Sequence, residues 1–292
     1  MPNVSVIIPA YNAADYIREA VDSALSQTYG DFEVLVVDDG STDDTPEILD
    51  LYGGRIRVIR QHNLKRAAAC NRGAQEATGE WLAFLDADDV WLPNKLSRQV
   101  EKCGEYVISH TNSVFFGDGL REPVLKTSIT PQFEGRVLAR LLLGNFITGS
   151  SVMLRRDVFL GYDGFDPTYP CVQDWPLWLK ICAEHELGYV EEPLVRYRVH
   201  AAATSRKARS TLPAHLRVLR EAFRDYPKHN RRDIRRRAFG NSYLINAMNA
   251  AESGDWRFSI YCATQSLAHC PAVGRAWKTA IKASLIPFGV KY

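Results

Sequence analysis

Between Met1 and Lys102 the chain alternates four times between a short apolar run and a stretch whose apolar residues keep helical spacing. Val4-Ser5-Val6-Ile7-Ile8, β-branched and ended by Pro9, reads as a strand buried on both faces. Tyr16, Ile17, Ala20, Val21, Ala24 and Leu25 then recur at three- and four-residue intervals, the stripe of an amphipathic helix. The pair repeats as Phe32–Val37 with a helix opened by Thr45-Pro46-Glu47, as Ile56–Ile59 with Ala67–Ala77, and as Trp81–Leu85 with Pro93–Lys102. This alternation has few solutions. It predicts a parallel sheet with helices on both faces, since parallel neighbours need a long crossover and a helix is the usual one. Ligands of such sheets bind beyond the carboxyl ends of the strands. Pro9–Asn12, Asp38–Ser41 and Asp86–Asp89 all fall there, so three polar clusters are expected to converge on one cleft.

The remainder is less patterned. From Thr111 to Gln132 periodicity is weak and turn residues are common, which predicts loops with short strands. Val158–Leu160 and Leu177–Ala183 read as core, and Arg206–Arg209 as a linker. Beyond it Leu216–Phe223, Ile234–Ala250, Trp256–Ala268 and Val273–Leu285 are expected helices, two of them joined through Ser253-Gly254-Asp255 as a hairpin. A composition 46% hydrophobic and 24% charged over 292 residues excludes disorder and collagen. No run approaches the ~18 apolar residues of a spanning helix, and Met1–Pro9 reads as the start of a strand, not an export signal. Six scattered cysteines without a Cys-x-x-Cys pair suit reduced thiols in a cytoplasmic protein better than a zinc site or disulfide framework. The net charge of +2 conceals a split. Residues 1–204 carry 19 Lys and Arg against 29 Asp and Glu, whereas residues 205–292 carry 17 against 5. An acidic body, 1–204, and a basic helical region, 205–292, are therefore expected to have different partners, anionic lipid or another polyanion for the second.

Chemistry concentrates in Leu85-Asp86-Ala87-Asp88-Asp89. Three carboxylates in four residues repel one another unless a cation meets them, and hard oxygen ligands select Mg²⁺ or Mn²⁺ beside phosphates. A solvated loop ahead of the Pro93 helix would also favour acids. Asp38-Asp39-Gly40-Ser41-Thr42-Asp43 is a second acidic turn, able to accept the ring N–H of a base or a ribose hydroxyl, or simply to close an Asx-type turn. Tyr11 offers a flat face on which a base could stack.

Taken with Ser26-Gln27-Thr28-Tyr29, Asn63, Asn71-Arg72-Gly73 and Ala77-Thr78-Gly79-Glu80, these segments resemble glycosyltransferase family 2, the inverting enzymes of GT-A fold, over residues 3–100. The resemblance implies an α/β fold, a Rossmann-like and mostly parallel central sheet flanked by helices, with a small C-terminal α-helical region. It implies that Pro9, Ala10, Tyr11 and Asn12 line a nucleotide pocket, that Asp39 holds the base edge with Asp38 as the alternative holder, that Asp86 lies near the ribose, and that Ala87 belongs to the same nucleotide-sugar site. Asp88 would bind the metal that bridges the donor diphosphate, and Arg66 would reach the base or a phosphate. One departure stands at Ala69-Cys70-Asn71, where the family often has arginine in the middle; it puts a helix–loop salt contact in doubt.

The second half matches more loosely. Thr148-Gly149-Ser150-Ser151-Val152-Met153 and Gly164-Phe165-Asp166 resemble the strand and turn that approach the acceptor. Asp174-Trp175-Pro176-Leu177-Trp178 resembles the segment that holds the catalytic base, with Gln173 in place of the usual glutamate and Asp174 in the base position. Tyr197-Arg198-Val199-His200 resembles the closing Arg-x-His, so that Arg198 would neutralise diphosphate charge and His200 would ligate metal or donate to the leaving group.

The expected function is an inverting, metal-dependent transfer of a sugar from a nucleotide-sugar donor, with UDP favoured. The acceptor would be a hydroxyl of a saccharide or lipid-linked saccharide, in cell-surface glycan synthesis. Mn²⁺ or Mg²⁺ is the expected cofactor. The expected place is the cytoplasm, peripherally on the inner membrane face through the basic region, with no nucleic-acid partner. A dehydrogenase would need Gly-x-Gly-x-x-Gly after the first strand, where Pro9-Ala10-Tyr11-Asn12 stands. A nucleotidyltransferase or a non-catalytic nucleotide-sugar binder are the alternatives.

Overall fold

The computed structural model describes residues 3–200, 207–271 and 278. In chain order its main elements are β1 (Val4–Ala10), α1 (Ile17–Leu25), β2 (Phe32–Asp38), α2 (Thr45–Asp50), β3 (Arg57–Arg60), α3 (Lys65–Glu76), β4 (Trp81–Phe84) and β5 (Val90–Trp91). There follow α4 (Lys95–Val100), β6 (Ile108–Gly117), β7 (Val124–Leu125), α5 (Leu138–Leu141), β8 (Met153–Arg155), α6 (Arg156–Gly161), α7 (Asp174–Glu184), β9 (Leu187–Val199), α8 (Ala208–Asp225), α9 (Arg232–Glu252) and α10 (Trp256–His269). The chain forms two compact units. The first is Met1–Val137, Phe146–Thr168 and Lys180–Val199; the second is Leu138–Asn145, Tyr169–Leu179 and His200–Tyr292.

The first unit holds one sheet in the order β3-β2-β1-β4-β8-β6-β9-β5, with β7 on β6. β3, β2, β1 and β4 are parallel, as the alternation predicts. Beyond them β8 runs antiparallel to both β4 and β6, β9 is parallel to β6, and β5 is antiparallel to β9. Every residue of β1 is buried. Pro9 fits inside this central strand because of alternation: Ile7 offers its carbonyl to Leu85 on the β4 side, and Pro9 turns the same way where β4 has already left the ladder. Helix α3 lies hard against the sheet, since a Cβ on Gly73 would come within 2.6 Å of Ile7 Cγ2 and 3.2 Å of Val37 Cγ2.

The Thr111–Gln132 expectation of loops with short strands holds for residues 118–132, where β7 has two residues, and is corrected at its start. A ten-residue strand, β6, crosses the middle of the sheet. Its signal is hidden because the buried side chains are polar: Ser109, His110, Thr111, Asn112 and Ser113 are almost wholly shielded from solvent. Each finds an internal partner. Gln99 Nε2 donates to Ser109 Oγ (3.0 Å), Lys126 Nζ donates to Thr148 Oγ1 (2.6 Å), and the Ser113 and Thr148 hydroxyls lie 3.3 Å apart. Burial pushes His110 down to about 3, so its ring is neutral, with Nε2 3.1 Å from the Phe133 carbonyl. A hydrophobicity pattern cannot report a strand stabilised this way.

In the second unit α9 and α10 form the expected hairpin. Gly254 turns it at φ 78°, and Asp255 accepts the Phe258 N–H at 3.2 Å as the cap of α10. Helix α8 begins earlier than its apolar spacing suggests, so Ala208 and Arg209 of the expected linker are helical. Pro213 inside α8 obscures that start. Arg206 and the expected Val273–Leu285 helix lie outside the described residues, Lys278 apart.

Candidate active site

Three loops leave the carboxyl ends of β1, β2 and β4 in the first unit, and hydrogen bonds tie them to one another. Asn12, at φ 47°, turns the chain after β1; its N–H donates to Ser41 Oγ (3.0 Å) and its Oδ1 accepts the Thr42 N–H (2.8 Å). Asn is among the few residues that enter this left-handed region at small cost. Tyr11, immediately before it, stays 50% exposed while Pro9 and Ala10 are buried. Asp38 closes the β2 turn by accepting the Ser41 N–H at 3.0 Å.

Asp39 is only 2% exposed, yet one of its oxygens is held by two donors, Gln61 Nε2 at 2.7 Å and the Leu64 N–H at 2.9 Å. Its orientation is thereby fixed, as a carboxylate that must read one edge of a ligand requires. The next residue, Lys65, sits at φ 72°, a strained choice for a long side chain. That turn starts α3 and delivers Arg66, whose Nε donates to Asp86 Oδ1 at 2.6 Å and whose outer guanidinium nitrogen lies 2.6 Å from the same oxygen. Asp39 and Asp86 are thus bridged through residues 64–66.

The acidic loop divides its carboxylates between different environments. Asp86 is paired with Arg66. Asp89, which the sequence does not single out as a site residue, is 1% exposed: it accepts Ser150 Oγ at 2.5 Å and the Arg198 N–H at 2.9 Å. Burial, then the charges of Asp88 and Asp86, pushes the Asp89 carboxyl well above the usual carboxylate range, with its two hydrogen bonds opposing. Asp88, and Ala87 beside it, are half-buried. Arg198 Nε donates to the Asp88 carbonyl at 2.8 Å, and its guanidinium pairs with Glu19 and lies 4.5 Å from the Phe116 ring centroid. The guanidinium expected to serve a diphosphate is therefore largely committed to holding the loop. Gly149 lies against the pair on the other side: a Cβ there would stand 3.2 Å from the Arg66 guanidinium and 3.7 Å from Asp86 Oδ2.

These donors suit a hard divalent ion of one kind. Among the described residues no three His, Cys, Asp or Glu side chains could cage a metal. With Asp86 shared with Arg66 and Asp89 turned inward, the loop offers one or two carboxylates. That is how Mg²⁺ is held when substrate phosphates and water complete its shell.

In the second unit Asp174 is the first residue of α7, half-buried, with Oδ2 accepting Asn145 Nδ2 at 3.1 Å. Its neighbour Trp175 donates Nε1–H to the Leu141 carbonyl at 2.9 Å and packs edge-on against His215. Two residues earlier Val172 has φ 54°, a conformation that costs a β-branched residue about 1–3 kcal/mol. Residues held in such conformations cluster where a side chain must be aimed. His200 follows β9 directly and is half-buried. The departure at Cys70 has a plain outcome, for that side chain is fully buried, and the adjacent Asn71 ties helix to turn by bonding both the N–H and the carbonyl of Phe165.

The family model that matches is Glycosyl transferase family 2, over residues 5–161. The chain belongs to this family. It is 33% identical over 217 residues to an uncharacterized glycosyltransferase of Rickettsia felis, a match covering 70% of this chain and 36% of that protein, so it spans about a third of that relative. It is 34% identical over 214 residues to the Escherichia coli UDP-Glc:alpha-D-GlcNAc-diphosphoundecaprenol beta-1,3-glucosyltransferase WfaP, covering 70% of this chain and 80% of that one. Among solved structures, the mannosyltransferase PcManGT from Pyrobaculum calidifontis, in complex with GDP-Man and Mn²⁺, superposes with a TM-score of 0.60. The match covers 100% of this chain and 88% of the other at 20% identity, which establishes the GT-A fold.

Proposed function

We propose that this family 2 enzyme transfers a sugar, with inversion, from a UDP-sugar to a hydroxyl of a saccharide carried on a lipid diphosphate. Residues 1–204 would carry the chemistry and residues 205–292 the basic helical region. The observation that carries this reading is the Asp39–Leu64–Arg66–Asp86 bridge, which ties the carboxylate proposed to read the base and the acid proposed to face the ribose into one frame. The name of the E. coli relative supports the lipid-linked acceptor and the UDP donor.

In the proposed reaction the acceptor oxygen attacks the anomeric carbon as the bond from that carbon to the diphosphate oxygen breaks on the opposite face. Asp174 takes the acceptor hydroxyl proton. Tyr11 stacks on the base and Asp39 accepts from its edge, with Pro9, Ala10 and Asn12 shaping the pocket; Asp38 holds the turn. Asp86 and Ala87 face the ribose, and Arg66 and Arg198 place positive charge beside the acidic loop. Asp88, with His200 as a second ligand, would hold Mn²⁺ or Mg²⁺, which when bound neutralises charge on the diphosphate.

Melting of the full chain against UDP-, GDP- and dTDP-sugars, with and without Mn²⁺, tests the donor reading. A ligand that binds only the folded state raises the midpoint. A shift confined to UDP compounds is expected. A shift with GDP-sugars alone would overturn the UDP assignment, and no shift with any of them would overturn the donor site.

We further propose that the basic region holds the enzyme on the anionic inner face of a membrane. Among the described residues no helix is long and apolar enough to cross one. Arg231, Arg232, Arg235, Arg236 and Arg237 are exposed around the start of α9. Arg236 is used locally, its Nε donating to the His269 carbonyl at 2.9 Å, and Arg231 pairs with Asp233 at 3.3 Å. Changing Arg232, Arg235 and Arg237 to Gln is expected to abolish flotation with anionic vesicles, at about 1 kcal/mol lost per residue. Undiminished flotation of that variant would remove the membrane role.

A further inference from the structure

Five hydrogen bonds close a ring beneath the acidic loop, and the transfer reading leaves it without a role. The Asp86 N–H donates to Ser150 Oγ at 3.0 Å, and Ser150 Oγ donates to Asp89 Oδ2 at 2.5 Å. Asp89 Oδ1 accepts the Arg198 N–H at 2.9 Å, Arg198 Nε donates to the Asp88 carbonyl at 2.8 Å, and the Asp89 N–H returns to the Asp86 carbonyl at 3.0 Å. A sixth bond, Trp91 Nε1 to the Ser150 carbonyl at 2.8 Å, anchors the ring to the core. Ser150 is fully buried, and Asp89 and Trp91 nearly so.

The loop's place in the sheet shows why it needs such fastening. It leaves β4, which pairs with β1 and β8, and enters β5, which pairs with β9. β5 has two residues, too few ladder bonds to fix where the loop ends. The side chains of Ser150 and Asp89 do that instead, from segments more than 60 residues apart. Gly149 adds a reason for the serine's placement, since a Cβ there would stand only 3.2 Å from the Arg66 guanidinium that pairs with Asp86.

We propose that Ser150 and Asp89 are positioning residues: they clamp the acidic loop to the end of β9, so that the Asp88 carboxylate and Arg198 hold one fixed spacing. Neither residue contacts the substrate in this scheme. The proposal rests on the reading that Asp88 serves the donor diphosphate. It separates Asp89 from its two acidic neighbours, as the residue that places the loop while they present it. Support of this kind around a ligand carboxylate typically carries 10–100-fold in affinity or rate.

The test uses the full chain with Ser150→Ala, Asp89→Asn, Ser150→Thr as the conservative variant, and Ser109→Ala as a control. Ser109 is also buried and bonded to Gln99, but stands outside the ring. Amide hydrogen exchange read at Asp86 and Arg198 is expected to quicken at both sites in Ser150→Ala, although the serine hydroxyl touches only the first. Ser109→Ala is expected to leave both unchanged. In turnover, Ser150→Ala should lower kcat at least tenfold with the acceptor KM unaltered, and Ser150→Thr should restore most of it. The clamp is overturned if Arg198 keeps wild-type protection in Ser150→Ala, or if Ser109→Ala loses as much kcat for the same fall in melting temperature. Exchange needs no donor. Failure of the wild-type chain to bind any nucleotide sugar would therefore count against the donor reading alone, while the exchange comparison would still decide the clamp.

Discussion

Asp174→Asn is expected to lower kcat by about 10²- to 10⁴-fold, the range a positioned general base contributes, while UDP-sugar binding stays within about twofold of wild type by the same separation of binding from chemistry. The substitution keeps the size of the side chain and an oxygen able to accept from Asn145 Nδ2, the contact made at 3.1 Å. It removes only the capacity to take a proton. Asp174 also opens helix α7, and an acid in a first helical turn contributes about 0.3–1 kcal/mol to stability. The melting temperature should therefore fall by no more than a few degrees. Product release assayed beside nucleotide-induced melting separates the roles. Parallel loss of turnover and donor binding would make Asp174 a structural residue, and retained turnover would place the base elsewhere.

The strained backbone before Asp174 gives that prediction a structural footing that the sequence does not announce. Val172 at φ 54° looks in sequence like any apolar residue ahead of a helix. By contrast the strand ends at Tyr11, Asp39 and Asp86 are legible in advance, because β-branched runs closed by polar clusters mark strand ends without any long-range information. The same local logic fails at β6, where burial of Ser109 to Ser113 depends on partners such as Gln99, Thr127 and Thr148 supplied by other segments. It fails again at Asp89. In sequence it is one of three equivalent carboxylates, and only the fold shows that it faces Ser150 and the Arg198 N–H. The division into units belongs to this class too. Leu138–Asn145 and Tyr169–Leu179 group with the chain beyond His200, a grouping set by contacts and invisible to a charge count that breaks near residue 204.

If the proposed divalent ion is held through Asp88, removal of the ion or of that carboxylate should have the other large effect. With Mn²⁺ present, UDP at a hundredfold excess over its Kd stabilises by about 2.7 kcal/mol, roughly 5–10 °C for a domain of this size. EDTA is expected to abolish most of that shift in the wild-type chain, and Asp88→Asn to abolish it with the metal still supplied. A hundredfold loss of affinity would leave only about 0.4 kcal/mol at the same UDP concentration. Asp86→Asn should behave differently. Its carboxylate is already matched by Arg66 at 2.6 Å, so the amide removes that ion pair and not the proposed metal ligand, and should cost less of the metal-dependent shift than Asp88→Asn. The order of the two variants is what discriminates. If Asp86→Asn loses the shift and Asp88→Asn keeps it, the ion belongs to Asp86, and the Arg66 pair seen here must open when the donor binds.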